Sequence, residues 1–203
     1  NVTTKMTLVG SLPLSQSMRE RSLKNLTLIF PLAILFVSIV LFAFHRSFKG
    51  LLVTFLPTSY SILFTFGILG VFRPQLTMIS LAIVALLMGL GVDYSIHLMN
   101  RFLEEKGDLE EKARRSLKTT GKAILLSAIT TAIGFGSLMI STMPPIVDFG
   151  FGCALGIVLC YVSTMVMVIP LVVVLGFKKR IKFPAWKRLA RFSVENSKKI
   201  LLL

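Results

Sequence analysis

Gly89-Leu90-Gly91-Val92-Asp93-Tyr94-Ser95-Ile96-His97, running on through Arg101 to Glu104 and Glu105, decides how the rest of the chain is read. The stretch begins inside a long apolar run and ends among charges. Asp93 is the only acidic residue in a segment that otherwise has the length and hydropathy of a membrane span. A carboxylate at the bilayer centre costs about 2.5–3.5 kcal/mol on insertion scales, so such residues are rare and mark function.

Working outward, 54% of the 203 residues are hydrophobic and the mean hydropathy is +0.80. A soluble domain is about 45–50% apolar even when glycine is counted. Lys and Arg collect in short connectors between apolar runs, the pattern of a polytopic membrane protein. The net charge of +14 follows from positive-inside topology, not from a basic stripe on a soluble fold, and nucleic acid is not expected as a partner. Cys153 and Cys160 lie two turns apart on one helical face and cannot bridge each other. No Cys/His metal spacing, phosphate loop or nucleophile elbow is present, so neither a metal nor another cofactor is expected.

Five spans are expected within residues 26–177. They run from about Leu26 to Phe44, Leu51 to Phe72, Gln75 to Asn100, Ala123 to Met143 and Ile146 to Phe177. Each holds at least 19 residues, enough at 1.5 Å per residue for a hydrocarbon core of about 30 Å. Residues 1–25 read as the last strand of a preceding domain, over Val2 to Val9, followed by a lead-in helix. Between the third and fourth spans, Asp108 and Glu111 resemble a capping box opening a short connector helix from Leu109 to about Thr119. That helix reads as a solvated linker, with a regulatory partner site as the alternative. Residues 178–193 form a basic, amphipathic interfacial segment anchored by Trp186, and 194–203 begin a further apolar run. Both ends read as cut from a longer protein.

Connector 45–50 holds two Lys/Arg, and 101–122 and 178–191 hold seven each, against one and none in the turns at 73–75 and 144–148. The basic connectors are therefore expected in the cytoplasm, with the N-terminus extracytoplasmic and the C-terminus cytoplasmic.

On the third span Gly89, Asp93, His97 and Asn100 form one polar stripe, with Tyr94 beside it. Burial raises a carboxyl pKa and could let Asp93 exchange protons; the alternative is a neutral carboxyl that hydrogen-bonds neighbouring helices. His97 reads either as a proton exit or as a solvated side chain. The fourth span carries Ser127, Thr130, Thr131, Gly134 and Ser137, and the fifth Gly152, Gly156, Cys160 and Thr164, at spacings suited to close helix packing. Thr130 or Thr131 as an uncharged partner of Asp93 is the sharper alternative. Gly89 and Gly91 are likewise expected at helix contacts.

The run from Gly89 to Glu105 resembles the signature of the RND superfamily, nearest to its MMPL, hydrophobe-exporter and Patched-like branch, to which sterol-sensing domains are related. Phe44-His45-Arg46-Ser47-Phe48-Lys49, Thr120-Gly121-Lys122-Ala123-Ile124, Thr130 through Leu138 and Phe149-Gly150-Phe151-Gly152 extend the likeness over about residues 8–203. The resemblance implies an all-α polytopic membrane protein of two six-helix halves, of which this chain carries helices two to six of one half, with residues 1–25 as the exit from that half's extracytoplasmic domain. It also implies that Asp93 and Tyr94 form a proton relay completed by a second half, joined in cis or by homo-oligomerisation. The activity implied is proton-driven export of hydrophobic or lipid-like molecules across the cell membrane, in contact with membrane lipids, and not an enzymatic reaction. A non-transporting lipid-sensing module of the same fold, or an export accessory of the SecD/SecF type, is the alternative.

Overall fold

In the computed structural model residues 47–72 and 78–176 are described, together with Pro31, Leu32, Leu35 and Ile39; for 78–81 only the backbone is described. The first expected span lies outside the described residues except for those four helical positions, as do residues 1–25, 178–193 and 194–203.

Within residues 47–176 five α-helices are described: α1 (Phe48–Phe72), α2 (Met78–Glu104), α3 (Leu109–Ser116), α4 (Lys122–Gly136) and α5 (Pro144–Val174). No strand occurs among the described residues. Among them four helical stretches are long and apolar enough to cross a membrane: Phe48–Phe72, Ala82–Glu104, Leu109–Ile140 and Pro144–Val174.

The connector helix begins where expected, at Leu109, but does not end near Thr119. A π-turn, Leu117–Gly121, carries α3 into α4, and a 3-10 turn, Ser137–Ile140, finishes a 32-residue rod. Nothing in this segment breaks a helix: Gly121 has ordinary helical dihedrals, φ −59 and ψ −39. At 1.5 Å per residue the rod is about 48 Å long, so roughly a third of it must project beyond a 30 Å hydrocarbon core. The capping box does not form. Asp108 occupies the cap position with extended backbone but its side chain makes no cap bond, and the Glu111 carboxylate pairs with Arg115. Gly107, at φ +119, makes the left-handed turn that separates α2 from α3 and that side-chain-bearing residues resist.

α5 is the hub, packing against α2, α1 and α4, and α1 and α2 also touch each other. Two prolines at its first positions suit a helix start, where the missing N–H has no partner to lose. Gly176, at φ +59, closes its far end with an N–H···O bond to Val173. The side chains enclosed between the helices include Val53, Leu87, Leu98, Met99, Ile157 and Val168. Leu63, Val71, Ile133, Val166 and other large apolar side chains point outward, as expected of helices whose surroundings are lipid.

The inner face of α1 is lined by hydroxyls. Thr54, Thr58, Ser61 and Thr65 are fully buried, and each donates to a carbonyl three or four residues back. Self-satisfied hydroxyls of this kind let helices approach without leaving an orphaned polar group. Ser61 also meets the Cys160 thiol at 2.9 Å, tying α1 to α5. Cys153 and Cys160 are both buried and unpaired.

Candidate functional site

α2 has two unlike faces. Ile83, Leu87, Gly91, Tyr94, Ser95, Leu98 and Phe102 are turned inward and buried. Ala82, Ala85, Gly89, Asp93 and His97 recur at three- and four-residue spacing on the opposite side, all exposed. The small residues leave that side flat, and the two polar groups follow in line toward the charged end of the helix. Asn100, the expected continuation, is half-buried, with its side-chain oxygen unpaired.

Asp93 and His97 are one turn apart and in contact. Nε2 of His97 lies 3.3 Å from Oδ1 of Asp93, and the two side chains are 64% and 61% exposed respectively. Asp93 stands at the middle of the membrane-length part of α2, Ala82–Glu104, about 16 Å from either end at 1.5 Å per residue. His97 lies about 6 Å nearer the charged end.

Beside this pair opens a cleft of about 540 Å³. Asp93, Tyr94, His97 and Arg101 form its α2 wall, and Thr119, Thr120, Ala123, Ile124 and Ser127 form the wall opposite. That second wall is built from the π-turn and the start of α4, where Thr119, Ala123 and Ser127 recur at four-residue spacing with Thr120 and Ile124 beside them. Arg101, at the mouth, is held by Glu105 at 2.5 Å.

Tyr94 is 4% exposed. Its hydroxyl makes no hydrogen bond of standard geometry, and the hydroxyl within its electrostatic reach is that of Ser127. Thr130 and Thr131 do not line the cleft. Both donate back to their own helix, Thr130 to Leu126 and Ser127 at 3.0 Å and Thr131 to Ser127 at 2.7 Å.

The five glycines singled out in the sequence divide into two groups. A Cβ on Gly91 would stand 2.8 Å from Thr58, and one on Gly152 3.1 Å from Leu69, while one on Gly156 would run into Leu87. Gly89 and Gly134 have no neighbour within 4 Å of that position. Gly150, which sequence reasoning passed over, is also tight, and against backbone: the Phe135 carbonyl oxygen is 2.7 Å from its would-be Cβ. Beside it Phe135 and Phe149 pack edge to face at 5.9 Å.

The cleft residues to which sequence reasoning gave no role are Arg101, inside the motif on α2, and Thr119, Thr120, Ala123 and Ile124 opposite it. For the last four the available signal was their helical spacing with Ser127, visible only once residues 109–140 are taken as a single rod. Among the described residues no group of three or more His, Cys, Asp or Glu could hold a metal ion.

The protein-family model for the MMPL family matches residues 2–200. A membrane protein of Methanocaldococcus jannaschii, MJ1562, is 31% identical over 183 residues, which is 89% of this chain and 46% of the relative. YdgH of Bacillus subtilis is 33% identical over 102 residues, 45% of this chain and 12% of the relative. SCO6666 of Streptomyces coelicolor is 26% identical over 91 residues, 43% of this chain and 13% of the relative. All three are designated only as membrane proteins, and the chain spans less than half the length of each. No solved structure matches the chain.

Proposed function

This chain belongs to the MMPL family, and from that premise we propose that it is the transmembrane part of one half of a proton-driven exporter of hydrophobic or lipid-like molecules. Asp93 and Tyr94 are its proton relay, and helices two to six of the half are its share of the fold. The basic connectors face the cytoplasm of a cell membrane. A second half, in cis or from another copy, completes the unit.

The observation that carries this reading is the position of Asp93, midway along a membrane-length helix on the face turned away from the packed bundle. A carboxylate directed at lipid there is expensive, so that face must meet protein or water. The row Ala82, Ala85, Gly89 on the same face suits close approach of another helix. Protonation of Asp93 removes its charge and lets the opposed helices repack; loss of the proton reverses this. One elementary charge crossing 100 mV releases about 2.3 kcal/mol, enough to bias such an equilibrium.

The test is Asp93→Asn in the full-length protein, reconstituted in vesicles with an imposed proton gradient and a fluorescent lipid analogue as probe. Loss of gradient-dependent movement of the probe, with insertion and folding intact, is expected. Transport at the wild-type rate would sink the relay.

A further inference from the structure

The Asp93–His97 pair and the cleft beside it carry a more specific assignment, which rests on the relay reading above. We propose that His97 is the proton carrier between Asp93 and the aqueous phase at the basic end of the bundle, with the cleft under the π-turn as its port. A proton leaving Asp93 at mid-membrane has about 16 Å of helix to pass before reaching the charged end. Beyond the Asp93–Tyr94 relay itself, His97 is the next titratable side chain on α2 toward that end, already 3.3 Å from Asp93, and imidazole has an intrinsic pKa near neutrality.

The walls favour transit over storage. Among the described residues the titratable and charged groups facing the cleft are Asp93, Tyr94, His97 and Arg101, all on α2, and Arg101 is engaged by Glu105. The π-turn and α4 contribute only hydroxyl and apolar side chains; Lys118 and Lys122 do not line it. No fixed carboxylate on the far wall traps the imidazolium, and Thr119, Thr120 and Ser127 offer hydroxyls to water along the way.

The transfer balances without a co-reactant. With Asp93 ionised, Nε2–H of neutral His97 donates to the carboxylate. Once Asp93 is protonated, its O–H bond breaks as an Nε2–H bond forms on the opposite tautomer, giving carboxylate and imidazolium. The imidazolium then loses its Nδ1 proton to water in the cleft, and rotation of the ring restores an acceptor nitrogen toward Asp93. Net, one proton moves from Asp93 to water.

His97→Gln in the reconstituted full-length protein tests this, with His97→Asn as a second variant should the first fail to accumulate. Proton-driven movement of the fluorescent lipid analogue is expected to fall at least tenfold, with the probe concentration for half-maximal rate unchanged. Added imidazole should restore the rate in a concentration-dependent way, because a small buffer can enter the cleft and take the proton directly. Imidazole should not rescue Asp93→Asn. A His97 variant with the wild-type rate, or a slow one that imidazole leaves slow, overturns the assignment of His97 while a dead Asp93→Asn keeps the relay. An active Asp93→Asn overturns both.

Discussion

Thr58 and Gly91 are packed so closely that no methyl group fits between them. A Cβ on Gly91 would fall 2.8 Å from both the methyl and the hydroxyl of Thr58, and 3.2 Å from the Cys160 sulfur. Thr58 has little freedom to give way, since its side chain is branched at Cβ and its hydroxyl donates to the Thr54 carbonyl at 2.9 Å.

Gly91→Ala is therefore expected to destabilise the bundle by about 1–3 kcal/mol, the usual cost of overpacking a tight contact. Gly89→Ala, two residues away on the open face, should change the stability of this bundle by less than about 0.5 kcal/mol. Thermal unfolding in detergent, read by a thiol-reactive dye reaching buried Cys153 and Cys160, distinguishes the two.

Gly156 and Leu87 should couple. The methyls of Leu87 occupy the space that a Cβ on Gly156 would need, so Gly156→Ala is destabilising while Leu87 is present. In a Leu87→Ala background the same substitution should cost less, with an interaction energy of about 0.5–3 kcal/mol across the double-mutant cycle. Equal costs in both backgrounds would show that another neighbour limits the site.

Hydroxyls on α4 should separate by where they point. Ser127 lines the cleft opposite Tyr94, and Ser127→Ala, which takes from that wall a hydroxyl able to hold water, should lower proton-driven transport by up to about tenfold, the scale of one water-mediated hydrogen bond. Thr130→Val and Thr131→Val remove groups already bonded to their own helix and should leave the rate within about twofold, judged by the same hydrogen-bond scale. Initial transport rates of the three variants, normalised to inserted protein, test the contrast.

Deleting Lys118 removes the extra residue of the π-turn and restores an unbroken α-helix. Everything N-terminal to the deletion then turns by about 100° relative to α4, which drags α3 off α2 or, if α3 stays seated, turns α4 and with it Thr119 and Ser127 away from the cleft. Helix content by circular dichroism should stay near that of the parent, while transport falls more than about tenfold, as losing more than one cleft contact implies. An active deletion variant would mean that the phase set by the turn does not matter.

Much of the bundle is written in plain hydropathy: the apolar runs, the Pro144-Pro145 start of α5 and the lone carboxylate within the apolar run of α2 can all be read by eye. Which side of α2 packs is not. Gly89 and Gly91 have the same composition signal, but two residues turn the helix by about 200°, so one meets Thr58 and the other meets nothing. Thr130 and Thr131 offered hydroxyls as plausible as that of Ser127, and only the backbone carbonyl each one chose removes them from the cleft. The π-turn has no residue signature at all. It shows only in three dimensions, where Thr119 and Thr120 come to face His97.

The place of α5 as hub has a consequence for biosynthesis. A ribosome that has just added Met143 has delivered α1, α2 and α4 toward the membrane before the helix that all three pack against exists. Until Pro144–Val174 follows, the Thr58–Gly91 contact lacks its Cys160 backing, and Ser61 lacks its thiol partner. Consolidation of this bundle is thus deferred to its last described helix, and the earlier ones must wait, either in lipid or in the hands of the insertion machinery.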